Sequence, residues 1–172
     1  LKKGDSAPQT RSDDQSQSGA SFFQDKSLSK QSEDCLTLNI CSNNIKAKNP
    51  VMIWIHGGAL VTGGSSSIMY DLEHLAKKGI VVVSINYRLG PLGFLRLDEA
   101  TNGQINSSGN EGLMDQRNAI KWVKENISSF GGDPNNITIF GESAGSWSCN
   151  LQIAAGDYGL FQKAICQSGG LD

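Results

Sequence analysis

Apolar residues in this chain fall into short runs separated by polar and glycine-rich stretches. From Leu36 to Cys41 the pattern alternates, with Leu36, Leu38 and Ile40 on one side, which predicts a half-buried strand. Val51 to Ile55 is an unbroken apolar run and predicts a strand buried on both faces. Residues 56–67 are rich in Gly and Ser and read as a loop. Tyr70 to Lys78 predicts a short helix closed by Gly79. Ile80 to Ile85 predicts a second buried strand, followed by a long connection over 87–110 with five Gly or Pro. Leu113, Ile120, Val123 and Ile127 recur at helical spacing, so 113–128 is predicted as a helix with Lys121, Lys124 and Glu125 outward. The run Gly131-Gly132-Asp133-Pro134 stops it. A third buried strand (137–140), a helix (144–155) and a fourth buried strand (163–167) complete the pattern. β-Branched strands alternating with helices predict an α/β fold: a mostly parallel sheet with helices on both faces.

Composition divides the chain. Residues 1–34 hold eight Ser, five Gln and only six apolar residues, which predicts an exposed, poorly ordered polar loop. Phe22 and Phe23 are its candidate local anchor. Residues 35–172 carry the domain. Fifteen Lys and Arg against 17 Asp and Glu give a net charge of −2, so no basic excess exists to neutralise nucleic-acid phosphates. No apolar run approaches the length of a transmembrane helix. Cys35, Cys41, Cys149 and Cys166, with His56 and His74, fit no zinc spacing, so no metal is expected. Four cysteines allow three full pairings, and the simplest reading is mostly buried free thiols. The chain begins at Leu1 without a charged-then-apolar leader, which leaves the compartment open.

Candidate chemistry centres on Gly141-Glu142-Ser143-Ala144-Gly145, a G-x-S-x-G between a predicted strand and a predicted helix. In that context the motif is a nucleophile elbow rather than an incidental turn. The serine occupies a strained turn, and small neighbours let strand and helix approach. The Ala144 N–H then starts a helix, where it can meet a developing oxyanion. His56-Gly57-Gly58-Ala59-Leu60 follows the strand 51–55, and its glycines allow further N–H groups to turn toward the same point. His56 is not expected to be the general base. It precedes the serine, whereas α/β-hydrolases order their triad Ser, Asp/Glu, His. A local hydrogen bond shaping the loop is expected of it, and His74 reads as a surface residue.

Several segments together resemble the type-B carboxylesterase family, which includes the cholinesterases. They are Glu33 to Ile40, Trp54 to Ala59, Asn86 to Gly90, Gly112 to Gln116 and Phe130 to Gly145. The resemblance covers about residues 33–170 and implies an α/β-hydrolase fold, here incomplete. It implies Ser143 as nucleophile and Gly58, Ala59 and Ala144 as the oxyanion hole, with Ala59 where the family typically has glycine. It also implies an internal ion pair of Arg88 and Asp115, and a buried supporting carboxylate at Glu142. No cofactor is implied, and the substrate is a small-molecule ester. Family habit favours a secreted or periplasmic location.

Two departures stand out. The family's Cys in the Glu-Asp-Cys segment usually bonds an upstream Cys, but none precedes Cys35; Ala7 lies about where one would fall. Only 29 residues follow Ser143, including Asp157 and Asp172 but no His. The chain is therefore expected to be an amino-terminal-side part of an esterase, carrying the nucleophile and oxyanion hole without the triad acid and His, and inactive alone. Alternatives are a non-catalytic esterase-like adhesion or scaffold protein, a truncated product, or another serine hydrolase such as a lipase or peptidase. The sequons at Asn106, Asn126 and Asn136 match what chance gives in a chain rich in Asn and Ser.

Overall fold

The computed structural model describes residues 4–9, 28, 30–70, 72–156 and 159–170. Phe22, Phe23, Asp157 and Asp172 lie outside them. Five strands form one sheet: β1 (Leu38–Cys41), β2 (Asn49–Ile55), β3 (Val81–Ile85), β4 (Gly132–Glu142) and β5 (Lys163–Gln167). Their spatial order is β1-β3-β2-β4-β5. β2 runs parallel to β3 and β4, and β4 parallel to β5, while β1 pairs antiparallel with β3. The sheet is thus mostly parallel, as the alternation predicts, with one antiparallel strand at its edge.

Burial follows position in that order. β3 is buried throughout, and Val51, Ile53 and Ile55 of β2 are fully buried beside Ile137 and Ile139 of β4. This central set forms the core with Ile120, Val123 and Ile127. The predicted burial of 163–167 is corrected: Lys163, Ile165, Cys166 and Gln167 are exposed and only Ala164 is half-buried. β5 ends the sheet among the described residues, so its apolar residues lack the neighbour that β2 and β4 provide. The regular part of β4 begins at Ile137, where it pairs with Val51. Upstream, Asn49 meets Gly132 and the register slips across Pro50, which has no N–H to donate.

Two short helices, α1 (Leu72–Ala76) and α2 (Gly90–Phe94), and two longer ones, α3 (Glu111–Asn126) and α4 (Ala144–Ala154), accompany the sheet. α2 lies inside the connection read as a loop, started by Pro91 at its first turn. α3 passes into a 3-10 turn over Ile127–Phe130, which Gly131 closes at φ 81°. The buried stripe of α3 comprises Gly112, Asp115, Gln116, Ile120 and Val123, whereas Leu113 is only half-buried. Polar side chains take core positions there because each has a partner. Gln116 Nε2 donates to Ser148 Oγ at 3.0 Å, and Gln152 Nε2 donates to Gln116 Oε1 at 3.4 Å.

The described parts of 1–34 are not uniformly exposed. Ser6, Ala7 and Leu28 are buried, and Ser6 bridges to Gln31. Ala7 and Cys35 belong to the same core cluster, and Cys35 and Cys149 are free buried thiols. Among the described residues, no helix is long and apolar enough to cross a membrane.

Candidate active site

β4 delivers the chain to Ser143, which adopts φ 55° and ψ −121° before α4 begins. A left-handed φ is unfavourable for a residue with a Cβ, so the surroundings must enforce it. They do so by close packing. A Cβ at Gly141 would stand 2.5 Å from the Gly145 carbonyl and 2.8 Å from Ile55 O. A Cβ at Gly145 would overlap Ile55 O and stand 3.1 Å from the His56 carbonyl carbon. Strand, helix and the end of β2 therefore meet at a point only glycine fits. The Ser143 N–H donates to Gln167 O at 2.9 Å, and its carbonyl accepts from Ser146 N and Trp147 N. Downstream, Ser146 Oγ donates to Gly169 O at 2.6 Å, so the segment after β5 braces the elbow.

The loop after β2 lies against this elbow. A Cβ at Gly57 would be 2.7 Å from Glu142 O and 3.4 Å from Ser143 Cβ. Gly58 takes φ 108°, and its carbonyl accepts from Val61 N and Thr62 N at 3.0 Å. Ala59 and Leu60 follow at φ 54° and 63°. Among the described residues, the Gly58, Ala59 and Ala144 N–H groups donate to no backbone carbonyl. Gly57 packs against Ser143, and Ala144 follows it as the first residue of α4, so the loop after β2 and the start of α4 adjoin the serine.

His56 is buried, and its Nδ1 stands 2.8 Å from Gly57 O. Because a carbonyl only accepts, Nδ1 carries the proton. Its ring stacks on Tyr87, with centroids 4.4 Å apart and planes at 17°. Burial lowers the His56 pKa to about 4, against the opposing pull of the Gly57 carbonyl, so the ring is neutral at pH 7. Nε2 has no partner among the described residues, and no hydrogen bond joins His56 to Ser143. His74 is exposed on α1.

Arg88 and Asp115 meet in a bidentate pair, Nε to Oδ2 at 2.7 Å and the second guanidinium nitrogen to Oδ1 at 2.8 Å. The Arg88 N–H adds a third bond to Oδ2 at 3.1 Å. The Asp115 hydrogen bond raises the Arg88 pKa further above its ordinary value. Glu142 departs from the resemblance: it is exposed rather than buried, because it stands at the last position of β4 beside the exposed β5. Among the described residues, no three His, Cys, Asp or Glu cluster to hold a metal.

Several residues around the loop had no role assigned from the sequence, although Asn86 and Tyr87 fall in one of the resembling segments. The Tyr87 hydroxyl donates to His56 O at 2.7 Å. Asn86 Oδ1 accepts from Ser65 N at 2.7 Å, and its amide donates to the Asp5 and Cys35 carbonyls. Gln9, from the polar segment, grips Gly63 on both sides: Nε2 donates to its carbonyl and Oε1 accepts its N–H, each at 2.9 Å.

The model of the carboxylesterase family matches residues 2–171. The chain is 52% identical over 145 residues to the para-nitrobenzyl esterase of Bacillus subtilis, covering 83% of this chain and 29% of that protein. It is 49% identical over 149 residues to human bile salt-activated lipase, covering 80% and 19%. A solved thermophilic PNB esterase superposes with a TM-score of 0.82 at 46% identity, covering 97% of this chain and 33% of that one. The chain thus spans a third or less of the length of these relatives.

Proposed function

The chain belongs to the carboxylesterase family, and on that premise we propose that it carries the nucleophile and oxyanion hole of a serine ester hydrolase. The observation that carries this reading is the elbow itself. Ser143 stands at φ 55° between β4 and α4, with Gly57 packed against it and the Gly58, Ala59 and Ala144 N–H groups donating to no backbone carbonyl among the described residues.

The reaction has two steps. Ser143 Oγ attacks the ester carbonyl carbon, and a histidine outside these 172 residues takes its proton. The carbonyl electrons move onto oxygen, where the N–H groups of Gly58, Ala59 and Ala144 receive them. The first two amides are turned by left-handed backbone, and the third is reinforced by the dipole of α4. The intermediate collapses, the alcohol leaves with a proton from the histidine, and Ser143 holds the acyl group as an ester. Water repeats the sequence and releases the acid. His56 is too deeply buried and too weakly basic to act as the base, and it shapes the loop instead. Arg88 and Asp115 support the chain behind it. No cofactor enters, and the substrate class is a small-molecule carboxylic ester.

The test is hydrolysis of short p-nitrophenyl esters by the whole esterase polypeptide containing this sequence. Ser143→Ala is expected to lower kcat roughly 10⁴-fold or more with the fold retained. A folded Ser143→Ala protein with parental kcat refutes the proposal.

A further inference from the structure

We propose that Tyr87 is a positioning residue for the oxyanion loop, acting through His56. The inference rests on the reading of Gly58 and Ala59 as oxyanion donors. Ala59 and Leu60 are consecutive left-handed residues that both carry a Cβ, a conformation held only where the surroundings over-determine it. The segment Asn86 to Gly90, directly after β3, supplies that restraint at three points. Asn86 accepts from Ser65 N, Gly90 N donates to Leu60 O at 2.7 Å, and the Tyr87 hydroxyl donates to His56 O. The first two hold the far side of the loop. Tyr87 acts at the side that leads into the donors.

Two peptide planes connect Tyr87 to Gly58. The hydroxyl fixes the His56 carbonyl, and thereby the peptide between His56 and Gly57. The Tyr87 ring, stacked on His56 and set edge-on to Phe94, fixes the imidazole. That imidazole donates from Nδ1 to the Gly57 carbonyl. A peptide is planar and trans, so its carbonyl and its N–H point in opposite directions. Holding Gly57 O therefore aims the Gly58 N–H. Tyr87 is fully buried, and burial keeps its phenol protonated, so it remains a donor across the working pH range.

The experiment uses the whole esterase with Tyr87→Phe, which removes the hydroxyl and keeps the ring. The kcat is expected to fall about tenfold to a hundredfold, no more than the 10²–10³ loss of deleting a donor outright. KM is expected to stay within about threefold, since a donor aimed at the oxyanion acts in the transition state. Affinity for a trifluoromethyl ketone, which forms a tetrahedral adduct on the serine, should fall in proportion to kcat/KM. Parental kcat and ketone affinity in folded Tyr87→Phe overturn the proposal. Should Tyr87→Phe fail to fold, p-aminophenylalanine at position 87 keeps the ring and a weaker donor. A folded p-amino variant with kcat lowered several-fold at parental KM supports positioning. Parental kcat there, beside an unfolded Phe variant, assigns the hydroxyl to stability alone and overturns it. Ser143→Ala run in parallel separates the two claims: its retained activity refutes the esterase reading, whereas its silence beside a fully active Tyr87→Phe refutes only the positioning role.

Discussion

At the scale of single residues, the site depends on groups whose environment differs sharply from water. His56 has an ordinary pKa of 6.5 and a folded value of about 4, set by burial. A lowered folded pKa means that between these values the unfolded chain binds the proton and the folded one does not. Stability is therefore complete above about pH 6.5 and falls as pH drops toward 4, by about 3 kcal/mol from this residue. Urea midpoints at pH 7 and pH 4.5 measure it, and His56→Phe is expected to lose much less stability across that interval than the parent. An equal loss in the variant contradicts the assignment. Ser143, Gly141 and Gly145 were legible in the sequence because a strained elbow between crossing elements admits few other residue types. The contacts of Tyr87 and Gln9 were not, even though Tyr87 lies in a resembling segment, since they reach the loop across 31 and 54 residues and no local pattern records such a contact. Glu142 was misread because resemblance transmits residue type, whereas its burial depends on what stands beyond β5.

At the scale of elements, periodicity found the strands where burial is two-sided and found α3 and α4 as helices, but it did not show the polar groups those helices bury. β2 and β3 read correctly as continuous apolar runs. α4 buries polar residues and exposes apolar ones: Ser146, Ser148 and Gln152 are buried, while Trp147, Leu151 and Ile153 are exposed. Its inner face meets α3 through Gln116, whose amide links Ser148 and Gln152. Such a network stabilises only while complete, because each orphaned group bears its own desolvation penalty. Gln116→Leu is expected to destabilise the protein by about 1–3 kcal/mol despite adding apolar surface. Thermal unfolding checks it, and a variant as stable as the parent removes the network from the account. α2 escaped the sequence reading because five residues, two of them glycine and one proline, carry too short a period to register.

At the scale of the whole molecule, the described sheet ends on an exposed strand. β5 presents Ile165 at its edge, and Trp147 and Leu151 stand exposed on the neighbouring α4. An unpaired apolar edge is a template for association. The 172-residue chain alone is expected to self-associate with rising concentration in sedimentation velocity, and Ile165→Lys to reduce it. A concentration-independent monomer contradicts this. The same scale bears on catalysis, since the chain spans a third or less of its relatives and contains no histidine after Ser143. The most direct test of the central claim is to treat the whole esterase polypeptide with a fluorophosphonate ester and map the adduct by peptide mass spectrometry. The account predicts one adduct, on Ser143, with hydrolysis lost in step with labelling. Full loss of hydrolysis with Ser143 unmodified, or full labelling of Ser143 with hydrolysis intact, contradicts it.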